Sequence, residues 1–234
     1  MRDRARLIRE MRAAPVGWEN LIHAAGGAQN VLLTGFRSDR LKPLTGRTLA
    51  SVAQERGASV EDTIVDLVIE DNSRVEVVYF LMNEESIRRN LAWRYTMIGS
   101  DAPSQAPEGV FLLRSGHPRG YGNFARLFAR YVREQRVLTI EEAIRRLTDL
   151  PAQQLRLRQR GRLAPGYAAD VVVFDPATIQ DHATYEQPQR YSTGVRDVLV
   201  NGVMVLRNGE HTGARPGQVV RGPGWTGWMQ ADAQ

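Results

Sequence analysis

The sequence predicts an α/β chain that ends in a β-rich module, and two observations carry that reading. Over the first two thirds, helical patterns alternate with short apolar runs, the layout of parallel strands joined by helices. Near Leu157 the texture changes: "GRLAPGYAADVVVFDP" and "VRDVLVNGVMVLRNGE" read as strands, with Asn201-Gly202 and Asn208-Gly209 at turn positions. A chain of 234 residues has room for one large domain or a domain plus a smaller module.

The elements follow in order. "MRDRARLIREMRAA" is an amphipathic helix with Leu7, Ile8 and Met11 on one face, and it lacks the apolar centre of a secretory signal. "NVLLTGF", Asn30 to Phe36, is a strand; "TLASVAQERG" is a helix stopped at Gly57. "SVEDTIVDLVIED" starts from Ser59 as N-cap, with Asp62 three residues on and Ile64, Leu67 and Val68 on one face. "VEVVYFL" is a buried strand, "NEESIRRNLA" a helix capped by Asn83, and "YTMIGSD" a third strand ending in Asp101. After a loop rich in Pro and Gly come two helices, "NFARLFARYVREQR" and "TIEEAIRRLTDLPAQQL". The second opens with Thr139 and Glu142 at capping-box spacing. The tail "ARPGQVVRGPGWTGWMQADAQ" has no period, and its end is expected to be mobile.

Composition excludes several classes. A hydrophobic share of 42% with 24% charged residues is that of a globular protein. No run of about 18 uncharged apolar residues exists, so no membrane span is expected. Zero cysteines exclude disulfides, thiolate zinc sites and a cysteine nucleophile, and a cytoplasmic location fits. The formal charge of +5 would suit nucleic acid, but the arginines are interleaved with glutamates in helical patterns and Lys42 is the only lysine. That is a solvated helix face, and no nucleic-acid partner is expected.

An acid at the C-terminal end of a strand, followed by a Gly/Pro-rich loop, stands where α/β barrels keep catalytic groups. By position alone Asp101 could equally be a cap or turn residue. The 4 histidines, His23, His117, His182 and His211, show no metal-binding spacing. His23 reads as a helix-end or loop residue, and His182 and His211 as surface residues of the β module. "SGHPRGYGNF" differs, because it gathers His117, Arg119 and Tyr121 in the loop region after Asp101. Ser100 and Ser115 lack a nucleophile-elbow pattern, and "GPGWTG" lacks the strand-to-helix context of a phosphate loop.

"IGSDAPSQAPEG", "HPRGYGNFARLFARYVRE", "LTIEEAIRRLTDLPAQQLRL", "RGRLAPGYAADVVVFDP" and "GVRDVLVNGVMVLRNGEHTG" together resemble the C-terminal half of the N-acyl-D-amino-acid deacylases (D-aminoacylases) of the amidohydrolase superfamily. The resemblance covers most of the chain with the order of segments intact. It implies the C-terminal part of a metal-dependent (β/α)8 barrel, over residues 1–156, followed over 157–234 by part of a small β-sandwich domain with a flexible tail. It implies zinc, and it gives Asp101 a role as metal contact and as the proton carrier from attacking water to leaving amine. His117, Arg119 and Tyr121 would face a small-molecule amide substrate, Arg119 as a bidentate partner for a carboxylate.

The departure from that family is large. The His-X-His of the first barrel strand and the later histidine ligands are missing, and three strands cannot close a barrel. The chain is therefore expected to be inactive alone, as a truncated or split product, with a missing N-terminal half or a partner chain supplying the rest. Ala102 stands where many relatives have Gly. A cyclic-amide hydrolase of the dihydroorotase or hydantoinase kind is the alternative within the superfamily. A non-catalytic remnant or assembly subunit, and a basic binding module, are the alternatives outside it.

Overall fold

The computed structural model describes residues 3–113 and 116–225. The chain divides into two compact units. The first takes Met1–Ile87, Ala102–Tyr121 and Ala183–Arg190; the second takes Arg88–Asp101, Gly122–His182 and Tyr191–Gln234. No described helix is long and apolar enough to cross a membrane. The expected mobile end falls on 226–234, outside the described residues, as does Ser115.

In the first unit, β1 (Val31–Gly35) is buried along its whole length. Its Val31 and Leu33, with Phe36 and Leu41, meet Leu49, Val52 and Leu67 of the helices α3 (Leu49–Glu55) and α4 (Val60–Asp71) to make the core. Ser59 caps α4 by accepting from the Asp62 amide, as the sequence predicts, and Thr48 caps α3 by accepting from the Ser51 amide. On α4 the expected apolar face is only part of the story. Leu67 is buried, but Val68 is 43% exposed, and Thr63 and Asp71 are buried in its place. Those two polar groups are satisfied: Thr63 donates to the Ser59 carbonyl, and Asp71 accepts from the amides of Arg37 and Ser38.

The expected parallel layout is not what forms. β2 (Glu76–Tyr79) pairs with β1 antiparallel, in the register Val31 to Tyr79 and Leu33 to Val77. The reason is the number of helices between them. One crossover helix returns the chain to the end where it started and makes the next strand parallel; here α3 and α4 lie between the strands, and the second reverses the chain once more. The other edge of β1 is also taken. Gly46 donates to the Leu33 carbonyl, Leu33 donates to the Arg47 carbonyl, and Leu32 bridges Thr48 antiparallel.

α1 (Arg4–Arg12) forms as predicted, yet Leu7, Ile8 and Met11 do not build a core contact and none of its residues is buried. It is held to α4 by charge: Arg4 meets Asp62 and Asp66 at 2.6 Å each, and Arg12 meets Glu61 at 3.2 Å. α2 (Leu21–Ala24) follows, and His23 sits in it as the helix-end residue expected.

α5 (Glu84–Ala92) is capped by Asn83, which accepts from the Ser86 amide. The predicted strand from Tyr95 to Asp101 does not form. A strand needs a neighbour for its backbone groups, no described strand lies beside this one, and Tyr95 and Met97 stand 76% and 44% exposed.

In the second unit, which takes α6 (Arg119–Arg126) from Gly122 on, that helix runs on into a π-helical stretch, Leu127–Glu134, that buries Leu127, Phe128, Ala129 and Tyr131. The last predicted helix is two, α7 (Ile140–Leu147) and α8 (Asp149–Gln154), broken where Thr148 leaves helical geometry. Thr139 accepts from the Glu142 amide, but the Glu142 carboxylate turns to Arg145 and Arg146 instead of closing the box. The module after Leu157 is one antiparallel sheet in chain order: β3 (Val171–Phe174), β4 (Val195–Val200), β5 (Val203–Arg207) and β6 (Glu210–His211). Both Asn-Gly pairs make two-residue hairpins with positive φ at each position, the conformation that these residues tolerate best. Phe174 packs on Phe128 at 4.9 Å between ring centres.

Candidate active site

Asp101 ends a segment pinned at both ends within the second unit. At its start, Arg145 of α7 donates to the Arg94 carbonyl at 2.6 Å; near its end, Asn123 of α6 donates to the Gly99 carbonyl at 3.3 Å. The aspartate is exposed and takes a left-handed backbone, φ 47°, which Asp accommodates better than most residues.

His117, Arg119 and Tyr121 come together in a tight turn of the first unit at the start of α6. The Arg119 amide donates to His117 Nδ1 at 3.0 Å, the Gly120 amide to the His117 carbonyl at 3.0 Å, and the Tyr121 amide to the Pro118 carbonyl at 3.1 Å. Pro118 presets the first bend. His117 and Tyr121 are half-buried, and Arg119 is exposed. Burial pushes the His117 imidazole below its usual value, and the positive charge of Arg119 adds to that.

Two residues that sequence reasoning missed complete this turn. The His117 ring meets the Tyr185 ring edge to face, 5.3 Å between centres at 82°, and Tyr185 in turn meets Phe80 at 4.9 Å and 75°. The three are separated by 37 and 68 positions in sequence (117 − 80 and 185 − 117), so no local pattern announces them. The same unit holds a cleft of about 480 Å³ lined by Lys42, Thr45, Leu112 and Arg190 among others, and none of the four predicted residues lines it.

Among the described residues no group of three or more His, Asp or Glu side chains could hold a metal ion. The residues present therefore do not fit a zinc site by themselves, since such sites take three or four protein ligands.

The chain is 39% identical over 177 residues to a D-aminoacylase of Alcaligenes xylosoxydans xylosoxydans, covering 76% of this chain and 34% of that one. With an N-acyl-D-aspartate deacylase of the same organism it shares 39% identity over 187 residues, 80% of this chain and 35% of the relative. The amidohydrolase family profile matches residues 95–206. That family match takes in just under half of the chain. A solved family member, the N-acyl-D-glutamate deacylase of Bordetella bronchiseptica complexed with zinc and a phosphonate inhibitor, superimposes with a TM-score of 0.69 at 35% identity. That match covers 85% of this chain and 39% of the solved one. The chain thus spans about a third of the length of its curated relatives, matching their C-terminal part. Its mixture of helices and strands is that of the amidohydrolase deacylases.

Proposed function

We propose that this chain is the C-terminal part of a metal-dependent amidohydrolase that hydrolyses the amide of N-acyl-D-amino acids. The observation that carries the reading is the similarity to D-amino-acid deacylases, which runs through both units and is not confined to one motif. In this reading the chain brings its share of a (β/α)8 barrel over 1–156 and part of a small β-sandwich over 157–234.

Asp101 is the carboxylate offered for proton transfer, exposed at the end of a segment that α6 and α7 hold in place. Arg119 offers a guanidinium to the substrate carboxylate, with His117 and Tyr121 beside it on the substrate side. Zinc belongs to the proposal for the whole enzyme. This chain supplies Asp101 to it, and the other ligands come from outside the described residues.

The test is complementation. The 234-residue chain alone should neither hold stoichiometric zinc nor deacylate N-acetyl-D-amino acids. Co-expressed with the N-terminal part of the D-aminoacylase that it matches, it should do both, and Asp101→Asn should abolish turnover. A complemented preparation that opens cyclic amides but leaves N-acetyl-D-amino acids intact would make the dihydroorotase-like alternative the right one.

A further inference from the structure

We propose that Tyr185 is a positioning residue for His117: together with the Arg119 amide it holds the imidazole as the neutral tautomer carrying its hydrogen on Nε2, so that the ring offers substrate a hydrogen-bond donor and not a charge. The proposal deepens the reading above and rests on its placing of His117 on the substrate side.

The tautomer follows from the turn. A backbone N–H can only donate, so Nδ1 facing the Arg119 amide at 3.0 Å must keep its lone pair, and a neutral ring then carries its hydrogen on Nε2. Protonating Nδ1 would set two donors against each other at that distance. Arg119 adds a positive charge on the same turn, which opposes a second one on the ring.

Tyr185 supplies the remaining constraint. Its ring contacts the imidazole at 82°, which restricts rotation about the His117 side chain and keeps water from that side. Tyr185 is itself fixed. Phe80, just past β2, holds its ring, and the turn that carries it is closed by Thr184 donating to the Gln187 carbonyl and by Gln187 donating back to the Thr184 hydroxyl. Among the described residues, Arg119 on α6 and Tyr185 on this turn are the charged and titratable groups seen to act on the imidazole. A neutral Nε2–H suits the carbonyl or carboxylate oxygen of an N-acyl amino acid, and its donor capacity does not change across neutral pH.

The experiment is ¹⁵N NMR of the whole chain with labelled histidine, the His117 signals being assigned by their loss in His117→Gln. Expected is an unprotonated Nδ1 and a protonated Nε2 at neutral pH, with a titration midpoint below the usual imidazole value. In Tyr185→Leu the tautomers should mix and the midpoint should rise toward that value; Tyr185→Phe, which keeps the ring, should restore the wild-type signals. A wild-type ring that is charged or carries hydrogen on Nδ1 at neutral pH overturns the proposal without any variant. So does a Tyr185→Leu protein, folded by circular dichroism, with an unchanged tautomer and midpoint. These readouts need no turnover, so a failed deacylase assay would sink the proposed function and leave this assignment standing.

Discussion

The Arg146 guanidinium, 2% exposed, donates through Nη1 to the Leu91 carbonyl at 2.5 Å and through Nε to Glu142 at 2.9 Å. It ties the last turn of α5 to α7. Truncation leaves the Leu91 carbonyl short of a donor and removes one of the two arginines on Glu142, which keeps Arg145. Arg146→Met should lower the unfolding free energy by about 2 kcal/mol, read from denaturant titration, with Arg146→Lys between it and wild type.

Glu142 carries the acid sensitivity of the same corner. The Arg145 and Arg146 side chains hold its carboxyl at about 2, against the usual 4.5. Between those values the unfolded chain binds more protons than the folded one. The contribution is therefore complete above about pH 4.5 and drains away as the pH falls toward about 2. Glu142→Gln should be less stable at pH 7 and show a shallower loss in acid. A slope should remain, because the hydrogen bond from Arg162 also lowers the Asp149 carboxyl.

α1 meets α4 through ion pairs, and none of its own residues is buried. Such contacts are screened within about 3 Å at about 1 M salt. Amide hydrogen exchange over Arg4–Arg12 should accelerate several-fold there and in Arg4→Ala, while the amides of β1 stay protected. Equal protection of α1 at low and high salt would refute an ionic attachment.

Gly194 marks the tightest backbone approach in the β module. Its φ is 90°, and a Cβ built on it would sit 2.4 Å from Ile179 Cα and 2.6 Å from Ile179 N. Neither atom can swing away as a side chain could. Gly194→Ala should cost about 3 kcal/mol, visible as a large drop in thermal midpoint.

Local chemistry in the sequence foretold the local structure. Ser59, Asn83 and Thr139 cap the helices that they precede, and both Asn-Gly pairs turn the hairpins, because each of these signals acts over two or three residues. Pairing was not legible in the same way. The direction of β2 depends on how many helices precede it, and the fate of Tyr95 to Asp101 depends on whether a neighbour strand exists. Neither is written in the segment itself. The candidate site divides along the same line. His117, Arg119 and Tyr121 share one motif and one turn, whereas Tyr185 and Phe80 reach His117 only through the fold.

The double flanking of β1 also sets an order of assembly. Residues 46–48 return to Leu32 and Leu33 through a loop of about a dozen residues, while β2 arrives only after some forty. Closing the shorter loop costs less conformational entropy and happens sooner. β1 should thus acquire the 46–48 edge first and become the template on which β2 docks, so that substitutions at Leu33 slow folding while those at Val78 mainly quicken unfolding.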